Sequence, residues 1–88
     1  RVLFRSEGVY VDITNNEKLF SSKDKIKTNS GYACFSKAID ENAIDNFRDF
    51  SYGMVRLETR ASKSGIHLGY KRKGHYEINS AALKFIYK

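Results

Sequence analysis

The residues of this chain that could carry chemistry are few: one thiol at Cys34, imidazoles at His67 and His75, and a carboxylate and an amide at Glu77 and Asn79. All five could sit on strands. Along His75-Tyr76-Glu77-Ile78-Asn79 apolar and polar residues alternate, which in a strand puts Tyr76 and Ile78 on one face and Glu77 and Asn79 on the other. Taken alone, that polar pair reads as a solvated strand face. Cys34, between Ala33 and Phe35, reads as a small buried hydrophobe. Its sharper reading is a nucleophile activated by a nearby basic segment, which requires exposure and a depressed pKa. His67, opposite Ile66 and Leu68 in another alternating run, reads as a hydrogen-bonded strand histidine. A single cysteine excludes an internal disulfide framework and any multi-thiolate metal site.

The second chemical feature is charge. The chain carries a net +6, and Lys71-Arg72-Lys73 is bracketed by Tyr70 and Tyr76. Cations that grip phosphate beside rings that stack on bases would make a small basic β-domain for nucleic acid or another polyanion. The plainer reading is a solvated turn. The excess of lysine accompanies abundant asparagine and isoleucine, a bias that raises the isoelectric point without implying a partner. Nucleic-acid binding is therefore expected to be weak at most.

These residues need elements to hold them. Eighty-eight residues make one small domain with a modest core, and the 41% hydrophobic and 30% charged composition is that of a soluble globular chain. No apolar run approaches a membrane span, and Val2-Leu3-Phe4 is too short for a signal peptide. Residues 1–6 read as a tail or a truncated upstream segment, and 7–88 as the domain. Glu7–Ile13 and Lys18–Ser22 read as a hairpin closed by Thr14-Asn15-Asn16-Glu17. Cys34–Ile39, Met54–Arg60 and Ile66–Tyr70 read as further strands, the last followed by a basic loop at 71–74. Asp40–Phe50 fits either a short helix capped by Asp40 or a strand. His75–Asn79 and Leu83–Tyr87 read as two strands joined by a small-residue bend at Ser80-Ala81-Ala82.

Several of these stretches together resemble one family. "HYEINSAALKF" is similar to the C-terminal signature of the B-type methionine-R-sulfoxide reductases, Arg-Tyr-Cys-Ile-Asn-Ser-Ala-Ser-or-Ala-Leu-x-Phe. "GVYVDITNNEKLFSSKDK" and "ETRASKSGIHLGY" resemble two further motifs of that family, in the same order. The likeness runs from about Glu7 to Phe85. It implies a mainly β domain of two small antiparallel sheets with little helix. The family's activity is thiol-dependent reduction of methionine-R-sulfoxide in proteins.

Carried over position by position, the resemblance puts Glu77 where the family has its nucleophilic cysteine and Ser30 where it has the resolving one. Tyr32 falls on the tryptophan that packs against the substrate methyl, and Cys34 on a serine. His67 matches the first active-site histidine, Tyr70 replaces the second, His75 replaces an arginine, and Asn79 matches. The connection before His75 is several residues shorter than the family's covering loop. At the zinc-ligand positions of the zinc-bearing branch stand Asp12, Asn15, Ala61 and Ser64, which is the look of the zinc-free branch. The chain is thus expected to be a degenerate member or a fragment, catalytically inactive, without metal or cofactor. Its expected partners are methionine- or methionine-sulfoxide-containing polypeptides. Without the cysteines a thioredoxin has no disulfide to reduce. A monomer in the cytoplasm, with no membrane contact, completes the expectation.

Overall fold

The computed structural model describes residues 7–28, 31–50 and 53–87, so the expected tail at 1–6 lies outside the described residues. The strands are β1 (Gly8–Asp12), β2 (Lys18–Ser21), β3 (Lys25–Ile26), β4 (Tyr32–Phe35), β5 (Ile44–Asp49), β6 (Arg56–Ala61), β7 (His67–Arg72), β8 (His75–Asn79) and β9 (Leu83–Tyr87). They form a three-stranded sheet in the order β2-β1-β9 and a six-stranded sheet in the order β3-β4-β8-β7-β6-β5. All strand pairings among the described residues are antiparallel. Two small antiparallel sheets were the expectation, and they are what the chain forms.

The sheets meet on an aromatic seam. Phe20 of the small sheet stacks on Phe35 of the large one with ring centroids 4.4 Å apart, and Tyr76 closes against Phe20 at 5.4 Å. All three are essentially inaccessible, and each such burial stabilises by about 1.5–3 kcal/mol. Leu19, Leu68 and Ile78 fill the space around them. The Tyr76 hydroxyl, too deep for water, donates to Glu41 Oε1 at 2.6 Å. Burial first, then the Glu41 carboxylate, pushes the Tyr76 pKa up to about 12.

Three connections differ from the sequence reading. The strand expected at Cys34–Ile39 ends at Phe35, because the chain leaves the sheet to cover the edge of β2. Ser36 N donates to the Asp24 carbonyl at 2.9 Å, and Ile39 N to the Leu19 carbonyl at 2.9 Å. Over residues 40–50 the strand alternative holds: Ile44 and Phe47 lie in β5, and only the Asp40 cap survives from the helix reading, closing a 3-10 turn over Glu41–Ala43 with its Oδ1 accepting from Asn42 N. The basic loop at 71–74 is only two residues long. Lys71 and Arg72 belong to β7, and Lys73 (φ 52°) and Gly74 (φ 80°) make the turn. Positive φ at both central residues matches the right-handed twist of the strands they join.

Candidate functional site

The candidate residues collect on the face of the six-stranded sheet turned away from the aromatic seam. Register lines up Cys34 (β4), Glu77 (β8), Tyr70 (β7), Glu58 (β6) and Phe47 (β5) as directly opposed neighbours. Opposed side chains on one face lie about 4.5–5.5 Å apart at Cβ. Tyr32 opposes Asn79 in the adjacent row, and Arg72 opposes His75 at the hairpin end. Tyr76 and Ile78 point the other way into the core, as the alternation required.

A bulge brings His67 to the same face. Thr59 pairs with Gly69 and Arg60 with His67, so Leu68 is the extra residue on β7. The extra residue turns His67 onto the side of Arg60, Glu58 and Tyr70 while Leu68 enters the core. Gly69 permits this. A Cβ there would overlap the Glu77 carbonyl oxygen, so no side chain fits where β7 crosses the backbone of Glu77.

Several polar groups on this face are already engaged. His67 Nδ1 lies 2.7 Å from Glu58 Oε2, and its ring meets Tyr70 edge-on at 5.4 Å. Arg60 donates to both Glu58 oxygens, at 3.0 and 3.1 Å. These contacts, the Arg60 hydrogen bond first, hold the Glu58 pKa below its ordinary value. The Arg56 guanidinium lies 4.2 Å over the Tyr70 ring and donates to Asp49 at 3.1 Å. Tyr70 also donates to Asp49, at 3.4 Å. Where the family has a second histidine, this chain has a phenol clasped between an arginine and a carboxylate. Asn79 Oδ1 accepts from Ala81 N at 3.0 Å and caps the turn into β9, which leaves only its NH2 group to face a ligand.

Cys34 is 8% exposed. Its pKa is raised by burial and then by the negative charge of Glu77 opposite, against a smaller opposing pull from the Thr28 hydroxyl. The basic segment invoked to activate it is not what it faces. Tyr32 is half exposed at the rim. Ser30 lies outside the described residues.

Nor do the rings beside the basic turn form a platform. Tyr76 is 1% exposed with Lys71 Nζ over its ring at 5.0 Å, and Arg56 covers Tyr70. Neither ring is free to stack on a base.

At the positions of the zinc ligands the structure makes a hydrogen-bonded staple. Asp12 is fully buried; its Oδ2 accepts from Ser64 Oγ at 2.6 Å, and its Oδ1 from Thr14 N at 2.8 Å and Thr14 Oγ1 at 2.6 Å. Burial alone would raise the Asp12 pKa, but the bonds from Ser64 and Thr14 outweigh it and hold the carboxylate ionised. Lys63 and Glu17 add an ion pair beside it at 3.6 Å. Sequence reasoning identified Asp12 and Ser64 as positions without seeing that they bond across 52 residues of chain. It missed Glu58, Arg60, Arg56 and Asp49 as a network. The only signal was the shared parity of 56, 58 and 60, and the bulge that adds His67 has no sequence mark beyond Gly69.

Two antiparallel sheets joined by a β8–β9 bend, with this row of residues at the strand centres, are consistent with the fold of the methionine-R-sulfoxide reductases. A family model described as the SelR domain matches residues 2–87. The chain belongs to that family, the B-type methionine-R-sulfoxide reductases, which act on methionine sulfoxide in polypeptides.

Proposed function

We propose that this domain keeps the family's binding face and has lost its reaction, without a structural metal. The observation that carries the reading is the row Cys34–Glu77–Tyr70. Reduction of a sulfoxide requires a thiolate that attacks sulfur, takes the oxygen as a sulfenic acid and releases the thioether. The carboxylate of Glu77 cannot change oxidation state in this way. The only thiol, Cys34, is buried beside that carboxylate, and its charge opposes a thiolate. What remains suits binding: Tyr32 offers a ring face for an apolar methyl group, and the Asn79 NH2 and the free imidazole edge of His67 offer polar contacts. The ligand class is a methionine- or methionine-sulfoxide-bearing polypeptide. The Asp12–Ser64 bond supports the metal-free part of the reading, since it already satisfies the carboxylate a metal would need. The test is reduction of a methionine-R-sulfoxide peptide with dithiothreitol, which bypasses the resolving thiol. The expected outcome is turnover at the level of buffer alone; clear turnover overturns the proposal.

A further inference from the structure

The face of the three-stranded sheet turned away from Tyr10 and Phe20 has no assigned role. By register Ile86 opposes Val9 and Val9 opposes Ser21, while Lys84 opposes Val11 and Val11 opposes Lys18. Paired residues share a face, so one row is Ile86, Val9 and Ser21, and the next places the buried Val11 between two lysines. An open groove crosses all three strands here, lined among others by Val9, Lys18, Lys23 and Ile86. A second groove shares Val9, Ser21 and Lys23 and continues to Lys37 and Ile39. Ile39 and Ile86 are 46% and 39% exposed, so the floor is aliphatic and wet.

The walls are cationic and uncompensated. Among the described residues Lys18, Lys23, Lys37 and Lys84 make no ion pair. Glu41, which lines the second groove, turns its carboxylate inward to Tyr76 and Ala38 N. That leaves the lysines in excess over Glu7 and Asp24. We propose that this face docks an extended acidic polypeptide segment in which carboxylates alternate with aliphatic side chains. In such a strand successive side chains point to opposite faces, so the aliphatic set seats on Val9, Ile39 and Ile86 while the carboxylate set, turned outward, is reached by the long lysine side chains along the walls. A second copy fits badly, because it would bring lysines onto lysines. Nucleic acid fits less well, because Tyr87 is the single aromatic ring among the described lining residues and none of them is an arginine.

The test uses the full chain and a fluorescein-labelled peptide of alternating glutamate and leucine, followed by anisotropy. A glutamate–serine peptide and a labelled oligothymidylate serve as controls. The substitutions lie on exposed lysines or on Ile86, away from the Glu77 face, so the outcome is independent of the reductase reading. The glutamate–leucine peptide is expected to bind best. Lys18→Glu with Lys23→Glu, and separately Ile86→Asp, should each weaken it at least about tenfold. Lys73→Glu, on the far hairpin, should leave it unchanged, and circular dichroism checks that each variant folds. No binding, an equal loss with Lys73→Glu, or tighter binding of oligothymidylate overturns the proposal. So does self-association that Ile86→Asp abolishes, or binding that appears only when residues 1–6 are removed.

Discussion

Glu77 and Cys34 face each other across β4 and β8, and that adjacency governs what thiol chemistry the domain can show. A buried thiol beside a carboxylate is a poor nucleophile, because both surroundings penalise the thiolate. Cys34 is expected to react slowly with a thiol probe in the native protein and fast in denaturant; fast native labelling near neutral pH would contradict the raised pKa. The same adjacency makes a sharper prediction for Glu77→Cys. The new thiol would stand directly opposite Cys34, with Cβ atoms at about the separation that a disulfide tolerates. Mild peroxide should then join the two positions, detectable as a loss of two hydrogens by mass and abolished by adding Cys34→Ala. Reductase activity should return only slightly, since a clasped Tyr70 stands where the resemblance places the second histidine and a two-residue turn where it places the covering loop. Persistence of two free thiols after oxidation would show that the facing geometry is wrong.

Among the elements, a hydrogen-bonded staple joins β1 to the turn after β6. Asp12 has no access to water and spends both carboxylate oxygens on Ser64 and Thr14. Asp12→Ala leaves three donors unmet and is expected to cost about 1–3 kcal/mol by urea unfolding, with Ser64→Ala costing less. A chelator should leave the melting of the natural chain unchanged, and a marked drop would reveal a metal. How far this architecture could be seen in the sequence depends on the element. β8, the bend and β9 were legible because Tyr76 and Ile78 keep one parity and Leu83 and Phe85 the other, either side of three small residues. The end of β4 was not, because what stops it is a pair of backbone bonds to Asp24 and Leu19, partners that no local pattern identifies. The lengthening of β7 through Arg72 hid behind charge: a run of cations looks like a loop, yet a strand edge carries them equally well. The candidate positions Glu77, His67, Tyr70 and Asn79 rest on the resemblance, whereas the engagement of His67 by Glu58 and of Tyr70 by Arg56 and Asp49 required the register.

At the scale of the whole molecule, three carboxylates hold the pieces together in ionised form. Asp12 joins the two sheets, Glu41 ties Tyr76 to the chain covering β2, and Glu58 gathers Arg60 and His67, each with a lowered pKa. A group whose folded pKa lies below its unfolded value adds stability that is complete above the unfolded value and lost as pH falls through the folded one. The domain should therefore keep a level stability near neutrality and lose it progressively below about pH 4. Glu41→Gln should flatten that acid limb, and an unchanged limb would remove Glu41 from the account. The strand order β2-β1-β9 carries a different consequence. β1 is the middle strand of its sheet, yet one of its neighbours comes from the far end of the chain, with Gly8 beside Tyr87. During synthesis β1 leaves the ribosome early and waits, one edge bare, until β9 emerges. Until then the aromatic seam lacks the strand that shuts it, and the nascent chain offers a hydrophobic strand edge to whatever it meets. Shortening that wait by joining the two ends and opening the chain at the Lys73-Gly74 turn would let β9 and β1 be made back to back.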